Sequence, residues 1–413
     1  MTADKTMSKI SQQSKILCVL FWFILIFKDA GTFGILPINI FQMIELLMFI
    51  VICVYNPKLK IDKKILFFFL YVGIVTSVQP FDFDSLKSFI FIFLSIVMYY
   101  LYLQRVPLQM TISAIFNAAF VLSVYGCVQE IGFILNIPAI YDISQYGFTL
   151  NGFAIGYGSL MRVNSLYAEP SHLQLILGLG ILIGLIECKK CNNGVRIWQV
   201  MVVAICALLT QSFLVYMSVI MSCICFILFY QDNIKQKFKW FILAILICAF
   251  LCTAQWDFIN RVFGKVTQFK TLQVDNGNDL SALAIVSNLR VAIEKMKEGH
   301  LFGTGLDSHR LYYDMYIDRL YTFLYMRLNS EDAASMYIRI LSEFGVIGLI
   351  VFCGCLVKRF KEGLKNKNRI LVVVILTLAV GILRDGNYTQ PLIQIMMVGV
   401  MFPKSVECSM KAY

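Results

Sequence analysis

Long apolar segments interrupted by short lysine-rich loops run through this chain, and no other feature limits its fold as severely. The stretch Leu173 to Ile186 holds no charged residue, and comparable runs cover Ile35 to Tyr55, Ile65 to Val78, Ser88 to Leu103, Thr111 to Leu135, Trp240 to Ala254 and Met336 to Val357. A bilayer core offers no water to backbone N–H and C=O groups, so runs of this kind read as membrane-spanning helices that bond their own backbone. Composition agrees, with only 15% of the 413 residues charged, against roughly a quarter in soluble domains. The expected fold class is all-α: a polytopic integral membrane protein, a single membrane domain over residues 1–413, with about twelve transmembrane helices.

A formal net charge of +11 would point to nucleic acid in a soluble protein. Here the cations sort by side of the membrane instead, and no nucleic-acid partner is expected. About 22 of the 36 lysines and arginines fall in short segments assigned inside, such as Lys58 to Lys64 and Lys358 to Arg369, against about four in short segments assigned outside. That bias sets both termini on the cytoplasmic side. Ile16 to Phe27 is short for a span and resembles a signal sequence, but Lys28-Asp29 follows at once and no small-x-small cleavage site precedes it. Whether it spans fully stays open. The 13 cysteines lie in apolar runs or beside basic loops, so no disulfide framework is expected, and Cys188-Lys-Lys-Cys191 reads as an ordinary cytoplasmic turn. No internal repeat is visible.

Two extracytoplasmic loops then carry the polar chemistry. The first, residues 137–170, delivers the run Arg162-Val-Asn-Ser-Leu-Tyr-Ala-Glu-Pro-Ser-His172 to the mouth of the sixth span. Pro170 suits the first turn of that helix, where its missing N–H costs nothing. The second loop, residues 255–335, contains turn material at Asp275 to Asp279 and an amphipathic helix over Leu280 to Glu298 with apolar residues at 280, 283, 286/289, 293 and 296. Arg290 lies on it, Gly299 can close it, and His300-Leu-Phe-Gly-Thr-Gly-Leu-Asp-Ser-His309 follows. His309 to Leu328, rich in Tyr, Leu and Met, reads as an interfacial helix that lies on the outer leaflet or roofs a cavity.

These residues carry a resemblance. Arg162-x-x-Ser165-x-Tyr167-x-Glu169-Pro170-Ser171 resembles the R-x-x-S-x-[FY]-x-E-P-S signature of O-antigen and capsule repeat-unit polymerases of the Wzy type. Arg290, ahead of Gly303-Thr-Gly305, is placed like the second arginine of that family and of the related O-antigen ligases. Glu343-Phe-Gly345-Val-Ile-Gly348 is similar to their E-x-G-x-x-G ending. The three matches occur in the expected order over about residues 160 to 350, and the first 150 residues add only spans. One departure matters. Where the ligase pattern has His-Asn ahead of that glutamate, this chain has Ala334-Ser335, which favours polymerase over ligase.

The resemblance implies a glycosyltransferase of the bacterial inner membrane, working at its extracytoplasmic face on undecaprenyl-pyrophosphate-linked oligosaccharides within membrane lipid. A chain-length regulator and a flippase are the implied protein partners. It needs no cofactor and no metal, because the donor is already activated. Arginine suits a diphosphate leaving group, since guanidinium stays charged at a low-dielectric surface and forks onto phosphate oxygens. Arg162 and Arg290 are therefore the expected substrate clamp, with Ser165, Tyr167, Ser171 and His172 beside them. Inverting transfer wants a base near the acceptor hydroxyl: Glu169 first, His309 second, Asp307 behind them. Each has a structural reading too. Arg162 can anchor a span at headgroup level, Glu169 can be a helix N-terminal charge, and Glu130 or Glu343 can either serve the chemistry or pair with Arg339 or Arg384. A transporter or flippase would concentrate polar residues at the membrane midplane within repeated halves, unlike the loop-borne pattern here.

Overall fold

A computed structural model describes residues 12–31, 39–55, 61–77, 83–148, 160–190, 195–231, 235, 280–320 and 327–402. The described residues are all-helical, with no strand and only isolated bridge residues, among them the pair Ala30 and Phe148. In chain order the helices are α1 (Gln12–Ile26), α2 (Ile40–Tyr55), α3 (Lys63–Thr76), α4 (Phe83–Arg105), α5 (Leu108–Ile134), α6 (Gln174–Lys190), α7 (Ile197–Leu209), α8 (Phe213–Cys225, continued by a π turn to Tyr230), α9 (Leu280–Lys297), α10 (Ser308–Leu320), α11 (Met336–Lys365), α12 (Arg369–Gly381) and α13 (Pro391–Met401). Five segments are long and apolar enough to cross a membrane: Phe83–Arg105, Leu108–Ile134, Pro170–Lys189, Phe213–Tyr230 and Met336–Lys365. With the shorter apolar helices α1, α2, α7, α12 and α13, they make this a multi-pass membrane protein. The expected span Trp240–Ala254 and the turn Asp275–Asp279 lie outside the described residues.

Local signals account for several starts. Asp62 accepts the N–H of Lys64 at α3, Asn368 that of Leu371 at α12, and Gln390 that of Ile393 at α13, where Pro391 fills the first helical position. The charge-free α6 sits centrally, with Leu175, Ile176 and Leu177 fully buried and α5, α7 and α8 packed around it. Its first turn is a tighter 3-10 piece, Pro170–Leu173.

Loops assigned outside gather at one end and loops assigned inside at the other. At the first end, His172 meets Asp29 after α1, Val163 N–H bonds Leu209 O before the α7–α8 turn, and Leu306 N–H bonds Thr76 Oγ1 at the end of α3. Arg339 reaches Gly386 and Arg384 reaches Ala334 at the same end. At the opposite end Ser14 bonds Arg105 O, Gln109 bonds Glu187 and Arg359 bonds Val400 O.

Two helices differ from expectation. The interfacial helix expected over His309 to Leu328 is observed as Ser308–Leu320, with residues 321–326 outside the description. It packs Tyr313, Tyr316 and Ile317 on Val291 of α9. In α9 the buried face is not the expected apolar stripe alone. Ala284, Asn288, Val291 and Lys295, spaced four, three and four, are buried as well, because α9 lies against the polar first turns of α11 and not against a purely apolar surface.

α11 is broken at Gly345, whose φ of +70° and ψ of −172° interrupt the helix. The break frees Glu343 O to accept the N–H groups of Thr304 and Gly305, while Val346 N–H bonds Leu301 O. A Cβ at Gly345 would stand 2.0 Å from Leu301 O, and one at Gly303 would stand 2.2 Å from Glu343 O. Only glycine permits both the dihedral and the approach. The Gly303-Thr-Gly305 and Glu343-Phe-Gly345 motifs, forty residues apart, are therefore one backbone joint.

Candidate functional site

The Arg162 segment is a tight, mostly buried turn gripped from α5. Gln129 accepts Ser165 N–H at 2.9 Å and donates to Asn164 Oδ1 at 3.0 Å, and Asn164 donates to Tyr167 O. Ser165 is buried with φ +54°, its hydroxyl donating to Leu122 O at 2.7 Å; Tyr167 is buried with its hydroxyl on Leu25 O. Both therefore hold the segment with the same polar atoms that would have contacted a ligand. Arg162, Glu169, Ser171 and His172 are half-buried. Ser171 donates to Glu169 at 3.0 Å. Arg162 makes no hydrogen bond or ion pair among the described residues, and its Nε is buried without an acceptor. Nearby, Met161 N–H bonds Glu130 Oε1, while Glu130 Oε2 is buried without a partner among the described residues.

His172 Nδ1 lies 2.8 Å from Asp29 Oδ2, which also accepts Ala168 N–H at 3.0 Å, and Lys28 Nζ stands 5.0 Å over the Tyr167 ring. Burial pushes the Asp29 carboxyl up, but the Lys28 charge, His172 and the Ala168 N–H outweigh it and hold Asp29 well below the usual carboxylate range. Asp385 faces Lys28 and His172 from the α12–α13 loop; there burial prevails and raises its pKa.

The second group is built by α9, α10 and the first turns of α11. Asn288 donates its amide to Ala284 O and Leu328 O, so its Oδ1 is left to accept from His309 Nε2 at 2.7 Å. That fixes the His309 tautomer: Nε2 carries the proton and Nδ1 accepts from Ser342 Oγ at 2.9 Å. Ser342 in turn accepts from Lys295 Nζ, which also reaches Ser308 and lies 4.0 Å from the Tyr312 ring centroid. All four polar side chains are almost fully buried. Burial drives His309 down to about 3, helped by Lys295 and Arg339, and drives Lys295 down to about 7 against the pull of Glu343. His309 is thus a neutral strut sealed inside the network. Arg290 is half-buried on α9, five residues from Lys295 and so about 140° away around the helix axis.

Glu343 pairs with Arg339, at 3.0 Å, and Arg339 also pairs with Asp307, donates to Gly386 O and sits 4.3 Å over the Tyr388 ring. This ion cluster forms a wall of a cavity of about 350 Å³ at the loop-bearing end, within the size range of small-molecule sites. Cations at its surface are Lys87, Arg310 and Arg339; carboxylates are Asp84, Asp307, Glu331 and Asp332. Gln42, Asn387, Thr389, Phe91 and Tyr388 complete much of the lining. Arg310 stands 3.4 Å from Asp84. Three cations against four carboxylates leave one negative charge in excess on a surface dense in donors and acceptors, suited to a polyhydroxylated ligand more than to a polyanion.

Of the residues expected from sequence, the cavity gathers Asp307, whereas Arg162, Ser165, Tyr167, Glu169, Ser171, His172, Arg290 and His309 are not in its lining. Arg162 and Arg290 belong to segments at the same end of the helix bundle. Arg339, Lys87, Asp332 and Tyr388 come from segments read only as loops or spans, and Arg310 from the segment read as an interfacial helix. The signal for Arg339 was present: an arginine and a glutamate four apart in the outer turn of an apolar span, where ionisable groups are costly. Among the described residues no group of three or more His, Cys, Asp or Glu side chains is arranged to hold a metal ion.

Comparison with known families matches residues 199–353 to the family model described as O-Antigen ligase. That interval contains α7 from Gln199, α8 to α10 and α11 through Cys353, including Arg290, Lys295, His309, Arg339 and Glu343. A search of curated proteins finds no match.

Proposed function

Starting from the match over residues 199–353, we propose that this chain is a glycosyltransferase that joins undecaprenyl-pyrophosphate-linked repeat units into a surface polysaccharide. It works at the outer face of the bacterial inner membrane, through a twelve-span topology with both termini inside. The observation that carries the reading is that both polar loops lie at one end of the bundle, where the second of them helps to line a polar cavity. In this reading Arg162 and Arg290 hold the donor diphosphate and stabilise the charge that develops as the glycosidic C–O bond breaks. Arg162 is suited to that part because its guanidinium has no partner among the described residues. Glu169, Ser171 and His172 border the donor side.

The acceptor sugar occupies this cavity, rich in donors and acceptors, and Asp307, oriented by Arg339, takes the proton of its attacking hydroxyl. His309 and Lys295 position the wall behind Asp307 and do not touch substrate. A flippase and a chain-length regulator are the protein partners of such an enzyme.

The described match also favours a second reading, transfer of finished glycan to a different acceptor. Against it stands Ala334, buried with φ +58° where the ligase pattern carries histidine, its carbonyl holding Arg384. Glycan length separates the readings. Arg162→Ala or Arg290→Ala leaves single repeat units but no long chains if the chain is a polymerase. Free polymer with nothing attached to its final acceptor identifies a ligase, and loss of single units as well identifies a flippase.

A further inference from the structure

The charges that line the cavity are unevenly paired. Arg339 is shared by Asp307 and Glu343, Arg310 stands 3.4 Å from Asp84, and Lys87 is engaged as well. Glu331 and Asp332 are the exceptions, for neither meets a cation within ion-pair distance among the described residues. Beyond Asp332 lies Asp385, and the basic groups there, Lys28 and His172, face Asp385 and Asp29. The negative charge in excess therefore belongs to one side of the cavity.

Asp332 is held there by the chain around it. Its Oδ1 accepts Ala334 N–H at 3.0 Å, across a turn in which Ala333 and Ala334 have φ of +54° and +58°. Its Oδ2 makes no hydrogen bond among the described residues. Its carbonyl lies against Gly386, where a Cβ would stand 1.6 Å from it, so Asp332 sits beside the loop that supplies Asn387, Tyr388 and Thr389. The rest of the lining suits an uncharged ring. The Tyr388 hydroxyl is buried without a partner, Gln42 accepts Asn39 N–H and has its amide N–H groups to give, and Phe91 adds an apolar face. A carboxylate entering this space would lose water and meet Glu331 and Asp332 with every lining cation already engaged. A hydroxyl or an ammonium would meet acceptors instead, and the walls of a cleft concentrate such a field.

We infer that the cavity selects its acceptor by charge, with Glu331 and Asp332 as the determinants: the sugar glycosylated there is neutral or carries an amine, and a uronic or other acidic sugar is refused. The identity of the ligand as a sugar rests on the glycan-transfer reading, whereas the field of the cavity does not. Where a repeat unit contains an acidic sugar, that sugar lies at a position other than the one that accepts the growing chain.

The test reads the field and the sugar separately. In the full chain in mild detergent, Thr389→Cys places a thiol in the cavity, and its modification by trimethylammonioethyl or sulfonatoethyl methanethiosulfonate is followed on the peptide containing residue 389. The cationic reagent is expected to react about tenfold faster than the anionic one, after division by their rates with free 2-mercaptoethanol. Adding Asp332→Asn, which keeps an oxygen for Ala334 N–H, together with Glu331→Gln should remove most of that preference. Ser88→Cys on α4 supplies a second thiol in the lining if Thr389→Cys lowers the unfolding midpoint. Equal rates for the two reagents, or a preference that the Asp332 and Glu331 variants leave unchanged, overturn the assignment. The sugar is read in cells that make this protein, after its deletion. The single repeat unit that accumulates is expected to end in a neutral or amino sugar at the position joined in the wild-type polymer, and an acidic sugar there overturns the inference. Normal polymer without the chain would sink the polymerase reading and the acceptor sugar with it, while the reagent preference would stand as a property of the cavity.

Discussion

Replacing Arg339 by leucine removes the one cation that two carboxylates share behind the cavity. Glu343 is fully buried and Arg339 nearly so, with side-chain exposures of 0% and 8%. Asp307, 18% exposed, keeps some access to water, so the larger penalty falls on Glu343. Removing one partner of a buried pair costs about 3–5 kcal/mol, because the remaining charge is stranded. The loss of the Gly386 O hydrogen bond and of the Tyr388 ring contact adds about 1 kcal/mol. A variant with both Arg339→Leu and Glu343→Leu strands neither of these two groups and should recover more than half of the loss. The assay is the unfolding midpoint in mild detergent for wild type, both single variants and the double variant. If Arg339→Leu lowers stability by less than about 1 kcal/mol, or if the two single effects simply add, the wall is not the ionic unit described.

Other outcomes follow from the same geometry. Gly345→Ala should destabilise by about 2–4 kcal/mol, from positive φ and the clash with Leu301 O, read as a lower unfolding midpoint, whereas Gly354→Ala in the lower part of α11, where a Cβ meets nothing, should be neutral or stabilising. His309 binds its proton less readily folded (about 3) than at its ordinary value of 6.5. Folding stability should therefore rise with pH between about 3 and 6.5, and His309→Gln should flatten that limb of the stability curve. Lys295, lowered from 10.5 to about 7, works in the same direction at higher pH. Its penalty is complete below 7 and is relieved towards 10.5, so Lys295→Met should gain stability near neutrality and lose that upper slope. If the chain is the polymerase proposed, Arg162→Lys should retain part of the long glycan that Arg162→Ala should abolish, because ammonium keeps the charge but not the fork.

The arrangement of helices was legible because two independent signals run along the chain. Apolar length gives the spans and lysine placement sorts the loops, and loops assigned to one side, such as Lys28–Asp29, Arg162–His172 and Arg384–Tyr388, do meet. The glycine motifs at 303–305 and 343–348 were visible as strings, but their mutual packing was not, since periodicity says nothing about which loop fills a broken helix. The buried side of α9 was misjudged for a related reason: Asn288 and Lys295 look solvent-facing until Ser342 and His309 are set against them. Ser165 and Tyr167 stood out as polar residues in a functional run, and their hydroxyls turn out to satisfy Leu122 O and Leu25 O. The cavity was least legible of all. Gln42, Lys87, Asp307, Asp332 and Tyr388 come from segments separated by dozens of residues, and only tertiary contact gathers them.

The interruption at Gly345 also decides how force travels. Residues 336–344 are latched to the 301–305 segment by two backbone bonds to Glu343 O, and a third ties Val346, just past the interruption, to Leu301 O, whereas the residues farther down are held by their own helix and by α12 and α13. A tilt of the lower shaft within the lipid would therefore be absorbed at the joint. The short upper piece that carries Arg339 would stay in step with the 301–305 segment bonded to it, and the wall of the chamber would keep its shape while the shaft beneath it leans.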